Sequence, residues 1–187
     1  FERENSWLQV NREELLDFVH EKLKKNSYAT GKKPYHIYQR SDWGRKDKIT
    51  LVPFKDIEKV SMAGSGDVIG KDLINAQQFS CAIAGSGDMI LEVNAQDVSA
   101  SVAGSGDLSI SGSTQKTHLK VAGSGDLEAS RLSSIDAEAS IAGSGDISLN
   151  CNTGTLKASV AGSGDIVYSG KPGKVDSKVV GSGRVRN

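Results

Sequence analysis

Ala63-Gly64-Ser65-Gly66-Asp67 is the first of seven copies of one phrase. It returns at 84–88, 103–107, 122–126, 142–146 and 161–165, and closes in altered form as Val180-Gly181-Ser182-Gly183-Arg184. The first glycines stand at 64, 85, 104, 123, 143, 162 and 181, so the steps are 21, 19, 19, 20, 19 and 19 residues. Aligned on the phrase, the flanking residues fall into register. Apolar residues take the first and third places after Asp: Met89 and Leu91, Leu108 and Ile110, Ile147 and Leu149, Ile166 and Tyr168. A second alternating run leads into the next phrase, as in Val98, Ala100, Val102, or Thr117, Leu119, Val121, or Leu156, Ala158, Val160, or Val175, Ser177, Val179. The longer coils keep the same endings, Phe79-x-Cys81-x-Ile83 and Ala137-x-Ala139-x-Ile141. Their extra residues therefore belong in the corner between the two runs.

The pattern is a period of 2 inside a period of 19–21 residues, with no 3.6-residue spacing. Each unit supplies one or two short strands that cannot bury an apolar face alone, and stacking the units buries it. The reading is all-β: a parallel β-helix (solenoid) of about six to seven 19–21-residue coils. With rungs ~4.8 Å apart, the phrases span roughly 30 Å.

Parity carries through the phrase. If Val102 faces inward, so do Gly104, Gly106, Leu108 and Ile110, while Ala103, Ser105 and Asp107 face out. The inward glycines then sit where a side chain does not fit, or supply φ > 0 at a bend. Ser and Asp form two external ladders. Cys81 and Cys151 lie three rungs apart, about 14 Å at the rung spacing, beyond the ~7 Å Cα separation a disulfide tolerates. They are expected as free, buried, small apolar fillers.

Residues 1–48 are built differently and are expected to form an N-terminal cap region, with the solenoid over 49–187. Residues 1–60 hold 13 Lys and Arg against 10 Asp and Glu, and 61–187 hold the opposite balance, 10 against 13. Eight of the ten Phe, Trp and Tyr residues lie in the first 60. Ser6-Trp7-Leu8-Gln9-Val10 alternates as a strand. Asn11 as N-cap, Glu14 as its capping-box acid, and Leu15, Phe18, Val19 and Leu23 at helical spacing predict one short helix over 12–25. Its narrow apolar stripe and mixed polar face suit docking on a β-core rather than a membrane surface. Tyr35–Tyr38 and Ile49–Phe54 read as strands, with Pro53 near an end or on an edge. Tyr35, Tyr38, Trp43, Arg40 and Arg45 could stack on sugar or nucleic acid, but aromatics in a small module more often form its core.

The formal net charge is zero, so no global field recruits nucleic acid or an anionic membrane. No apolar run is long enough to span a bilayer. The chain begins at Phe1 rather than Met, as a processed protein would.

The residues bear on four chemistries. Asp67, Asp88, Asp107, Asp126, Asp146 and Asp165 should stack, and like charges ~5 Å apart repel by about 1 kcal/mol per neighbour in a water-like dielectric. Either each carboxylate accepts N–H groups of its own turn, or cations sit between carboxylates. Calcium β-rolls use a Gly-Gly-x-Gly-x-Asp nonapeptide, about half the present period. Arg184, in place of Asp, would sit beside Asp165 and neutralise that end. A phosphate-binding loop would need a following helix or Lys, and the phrase has neither. Catalysis would need a distinct acid–base partner. His20, His36 and His118 fall in unrelated segments. Ice-binding surfaces use a Thr-x-Thr array that is missing here. The reading is no catalytic residue, no cofactor and no committed metal site.

The repeated Gly-Ser-Gly-Asp units, the element Ile166-Val167-Tyr168-Ser169-Gly170-Lys171-Pro172 and the closing Val180-Gly181-Ser182-Gly183 resemble the DUF2807 family, the autotransporter adhesin head domain or head GIN domain of bacterial envelopes. The resemblance covers about 49–187, and Phe1–Val10 resembles the family's early strand. Tyr-x-Gly-x-Pro before the final Gly-Ser-Gly is its most specific element. The resemblance implies a right-handed β-solenoid, exported and often lipid-anchored; the helix over 12–25 departs from the family pattern. The expected function is a non-enzymatic, exported cell-envelope module, adhesin-like or structural, that displays outward groups at fixed spacing. Ser86, Asp88, Ser105, Asp107, Ser124, Asp126, Ser144 and Asp146 form the expected partner-binding surface. Expected partners are a surface glycan, an envelope protein, or a second copy through the solenoid's ends or faces. No nucleic acid is expected, and a membrane only through a lipid anchor outside this chain. The alternative is a polysaccharide-active lyase or hydrolase on the same scaffold.

Overall fold

The computed structural model describes the backbone of residues 6–11, 38–40 and 49–54 and the whole of 57–187. The helix expected over 12–25 lies outside the described residues, as do Tyr35–Ile37 and the aromatic cluster around Trp43. What is described is all-β, a parallel solenoid of about 7 turns.

Among the described residues three strands precede the solenoid: β1 (Ser6–Asn11), β2 (Tyr38–Arg40) and β3 (Ile49–Phe54). The solenoid follows with β4 (Lys59–Gly64), β5 (Val68–Gly70), β6 (Ile74–Gly85), β7 (Met89–Gly104), β8 (Leu108–Gly123) and β9 (Leu127–Gly143). It closes with β10 (Ile147–Cys151), β11 (Thr155–Gly162), β12 (Ile166–Ser169), β13 (Lys174–Gly181) and β14 (Val185–Arg186). From β4 onward the pairings between strands are parallel, and the phrase is stacked on itself: Gly64, Gly85, Gly104, Gly123, Gly143, Gly162 and Gly181 are successive partners.

The N-terminal strands change the direction. β1 pairs antiparallel with β5 on one side and with β3 on the other, and β2 pairs antiparallel with β3. β1 thus covers the edge that β5 would otherwise leave open at that end. Pro53 falls one residue from the end of β3 and opposite Trp7 of β1, as expected of a proline near a strand end.

The two short runs read from the sequence are joined in the middle coils into single strands of 16–17 residues, β7, β8 and β9. Each turns at a second corner. In β7 the inward row Met89, Leu91, Val93, Ala95 breaks at Gln96-Asp97, both outward, and resumes at Val98, Ala100, Val102. The same two-residue break falls at Gln77-Gln78, Gln115-Lys116 and Ile135-Asp136. The extra residues of the longer coils lie between the two runs, as expected, but ahead of the second corner rather than in it. Ile69 pairs with Ile90 and Ile74 with Val93, so Gly70–Leu73 face only two residues. In β9 the register slips between Glu128 and Leu132.

Inside, equivalent residues stack in columns. Val68, Met89, Leu108, Leu127, Ile147 and Ile166 form one, and Ile83, Val102, Val121, Ile141 and Val160 another; all are buried. Burying side chains of this size stabilises by roughly 1.5–3 kcal/mol each. Cys81 and Cys151 are buried and free.

Candidate functional site

The glycine corner is built rung against rung. The first glycine has a positive φ, +129° at Gly104, and the second, Gly106, has none but sits where a Cβ would overlap the Gly87 carbonyl oxygen. The two glycines therefore answer to different demands: the first to backbone conformation as well as space, the second to space alone. Gly106, Gly125 and Gly145 are buried, and Ser105, Ser124 and Ser144 between the glycines are exposed, so the inward–outward parity holds through the corner.

Four successive N–H groups of the corner find partners in a neighbouring rung. Ser105 and Gly106 donate to the Gly85 carbonyl at 2.9 and 3.1 Å, and Leu108 donates to the Asp126 carbonyl at 2.9 Å. Between them, Asp107 donates its N–H to Oδ1 of Asp88 at 3.1 Å. The same bond joins Asp88 to Asp67 at 3.3 Å, Asp126 to Asp107 at 2.9 Å, Asp146 to Asp126 at 2.8 Å and Asp165 to Asp146 at 2.7 Å. The carboxylate accepts the next rung's N–H rather than one of its own turn. A hydrogen bond to a charged acceptor contributes about 1.5–3 kcal/mol, more than the ~1 kcal/mol of repulsion between neighbouring carboxylates in a water-like dielectric.

Arg184 receives the last of these bonds, its N–H donating to Asp165 Oδ1 at 2.9 Å. The ion pair that meets Asp165 comes from Arg186 instead, Nη2 to Oδ2 at 3.8 Å. Arg184 is thus the point where the ladder stops, because it offers no carboxylate to a further rung, and the neutralising charge lies two residues on.

The expected binding residues Ser86, Asp88, Ser105, Asp107, Ser124, Asp126, Ser144 and Asp146 are all exposed and lie in two adjacent rows. One oxygen of each of these Asp residues is held by the ladder. Among the described residues no group of three or more His, Cys, Asp or Glu side chains could hold a metal ion. His118 lies outward against Glu138, Nδ1 to Oε2 at 3.4 Å, with both side chains about half exposed (49% and 53%). The thiols are not poised as nucleophiles. Burial pushes the Cys81 thiol up to about 12. Cys151 is raised first by burial and then by the Asp136 charge, a backbone hydrogen bond from Ala137 working the other way. Its Sγ–H donates to the Ile135 carbonyl at 3.2 Å.

A second site stands at the other corner. A groove of about 810 Å³ opens along β6, β7 and β8. Two rows of uncharged polar side chains line it, Asn75, Asn94 and Ser113 in one and Gln77, Gln96 and Gln115 in the other, each stepping by 19 residues. Asn94 donates Nδ2–H to Asn75 Oδ1 at 3.4 Å, and Ser113 donates its hydroxyl to Asn94 Oδ1 at 2.9 Å. The three glutamines are exposed. Glu58, at one end, is the only charged residue of the lining among the described residues. These rows escaped the alignment on the phrase because that alignment followed apolar residues; the 19-residue steps of Gln77, Gln96 and Gln115 were the available signal.

The comparisons with known proteins agree with the fold. Residues 34–172 match the family described as "DUF2807: Putative auto-transporter adhesin, head GIN domain". A "putative lipid binding protein" of Parabacteroides distasonis is similar at 34% identity and TM-score 0.67, over 70% of this chain and 53% of its own, so the chain spans about half the length of that relative. A "putative adhesin" of Bacteroides fragilis is similar at 27% identity and TM-score 0.70, over 81% of this chain and 76% of its own. Another from Parabacteroides distasonis, at 23% identity and TM-score 0.63 over 68% and 57% of the two chains, shares the fold. None of these names is an enzyme's. No match was found among curated proteins. The repeated glycine corner, the parallel coil it stacks and the match over residues 34–172 show that the chain belongs to the DUF2807 family.

Proposed function

We propose that this chain is an exported cell-envelope module that acts as a non-enzymatic, adhesin-like binding surface, and that its ligand is a surface glycan. The observation that carries the reading is the groove of rung-spaced amides. Each Gln amide both donates and accepts hydrogen bonds, the complement that a sugar hydroxyl needs, and the rows repeat along the coil as a polymer's sugars do. The uncharged amide rows, with the carboxylate of Glu58 at one end, favour a neutral glycan over a polyanion. Export and a surface role are supported by the adhesin name of the Bacteroides fragilis relative and by the adhesin description of the family. The exposed row of Ser105, Ser124 and Ser144 beside its Asp ladder is the second face a partner could use.

The test is a neutral-glycan array followed by calorimetry, with each bound glycan recovered and its length checked by mass. Binding without chain shortening is expected, and the triple variant Gln77→Ala, Gln96→Ala, Gln115→Ala should lose it. If Ser105→Ala, Ser124→Ala, Ser144→Ala loses it instead, the glycine-corner face is the site. Shortened glycans would replace this reading with a polysaccharide-active enzyme. Silence across the array, with binding to an envelope protein instead, would overturn the ligand class.

A further inference from the structure

The amide groove has a direction and a length. Gln77, Gln96 and Gln115 hold one row on successive rungs, so they stand ~4.8 Å apart along the coil axis. The row beside it is tied to itself in one sense, Ser113 donating to Asn94 and Asn94 to Asn75. Between the rows the lining is small: Ala76, Ala95 and Thr114 are partners on successive rungs. The Thr114 hydroxyl is held by the carbonyls of Gln96 and Lys116, at 3.0 and 2.8 Å, and is spent on the backbone. Among the described residues no aromatic ring lines the groove, so no single sugar has a ring to stack on, and the hold on a ligand comes from the repeat. The row also ends. Thr114 pairs with Ser134 and Lys116 with Asp136, so Ile135 stands on β9 where a fourth glutamine would, and it is 48% exposed. At the other end the lining passes to Ile57, which packs against the core, and to Glu58.

Resting on the glycan reading above, we infer that the ligand lies along the coil axis with one sugar per rung, and that three sugars joined by equatorial linkages fill the groove. Equatorial linkages on opposite sides of a pyranose give an extended chain, which advances by the length of its ring and so nearly keeps step with the rungs. An axial linkage winds the chain into a helix, and its hydroxyls drift off the row. A sugar over each glutamine gives one hydroxyl proton to the amide oxygen and takes one N–H in return. A fourth sugar lies over Ile135, which offers it no hydrogen bond. A chain set across the axis would meet one glutamine and leave the other two idle.

Calorimetry with β-1,4-linked oligomers of glucose, mannose and xylose, of one to six sugars, reads the length; α-1,4-linked glucose oligomers of the same sizes read the linkage. Each sugar up to the third should tighten Kd roughly three- to tenfold, the worth of one net hydrogen bond, and the fourth to sixth should leave it level. The α-linked series should bind more weakly at every length beyond one sugar. Ile135→Gln adds a fourth amide to the row and should move the plateau from three sugars to four. Ile135→Ala adds none and should leave it at three. Unchanged circular dichroism spectra keep a folding defect separate from an altered plateau. A plateau at one or two sugars, a wild-type Kd that goes on tightening past three, a stronger α-linked series, or a plateau unmoved by Ile135→Gln would overturn the axial, three-rung geometry and leave the glycan reading standing. Silence of every oligomer would overturn it too, and the glycan reading would fall with it only if the wider array were also silent.

Discussion

Each middle coil turns at two marked corners, and they treat their polar groups in opposite ways. At Ala-Gly-Ser-Gly-Asp, four successive N–H groups and one carboxylate oxygen per rung are consumed by the neighbouring rung. At the other corner, Gln77-Gln78, Gln96-Asp97 and Gln115-Lys116 turn two consecutive side chains to solvent. The first corner repeats nearly unchanged because its stacking admits little else. The second varies, Ile135-Asp136 being its form in β9, because its side chains meet water. Repetition in the sequence thus marks a structural demand, and the surface free to take a ligand is the one where the repeat loosens.

The comparison breaks first if the glycine corner tolerates a methyl group. Gly125→Ala would drive a Cβ into the Gly106 carbonyl, backbone against backbone, with stacked rungs on both sides. Overpacking costs about 1–3 kcal/mol and sometimes more, and a clash of backbone with backbone belongs at the top of that range. Denaturant unfolding should show the loss as a lowered midpoint, and a midpoint within error of wild type would refute the stacked geometry. Next in size is the ladder. Asp126→Ala removes the acceptor of the Asp146 N–H, an exposed bond whose place water can take, and should cost about 0.5–1.5 kcal/mol, while Asp126→Asn keeps an acceptor at the same place and should cost less. Equal losses in the two variants would mean that charge, not the acceptor, is what the ladder needs.

A third test lies just past the second corner. Thr117 is the first inward residue after Gln115-Lys116, between Val98 and Ala137, and its hydroxyl is buried without a hydrogen-bond partner. A buried unsatisfied hydroxyl costs about 1–3 kcal/mol, so Thr117→Val, of the same shape, should stabilise by about 1 kcal/mol. A lower melting temperature would mean that the hydroxyl is satisfied in solution.

Much of this was legible in the chain. The period gave the coil, parity gave the inward glycines, and the two longer steps put the added residues between the two runs, where the strand register has them at Gly70–Leu73 and between Glu128 and Leu132. The destination of the Asp carboxylate was not legible, because one rung of displacement leaves no trace in a sequence aligned on the rung. Nor was the pairing of Asp165 with Arg186 rather than Arg184: the residue at a ladder position contributes its backbone there, and its side chain need not follow. The amide groove was missed for a different reason. Its residues carry no hydrophobic signal, and only three rungs repeat its glutamine row.

The smallest expected change in stability bears hardest on the comparison. Gln96 projects from the second corner and is exposed, and an exposed side chain away from a cap or network changes stability by no more than about 0.5 kcal/mol when truncated. Gln96→Ala should therefore unfold with wild-type midpoint and slope. If the groove is the binding site, the same variant weakens glycan affinity, since a ligand hydroxyl that met the amide is left without its partner. Asp126→Ala should show the reverse, a lowered midpoint with affinity kept wherever the coil is folded. If Gln96→Ala instead lowers the midpoint by as much as Asp126→Ala, the second corner is structural too, and the division between a corner that holds the coil and a corner that meets the partner fails.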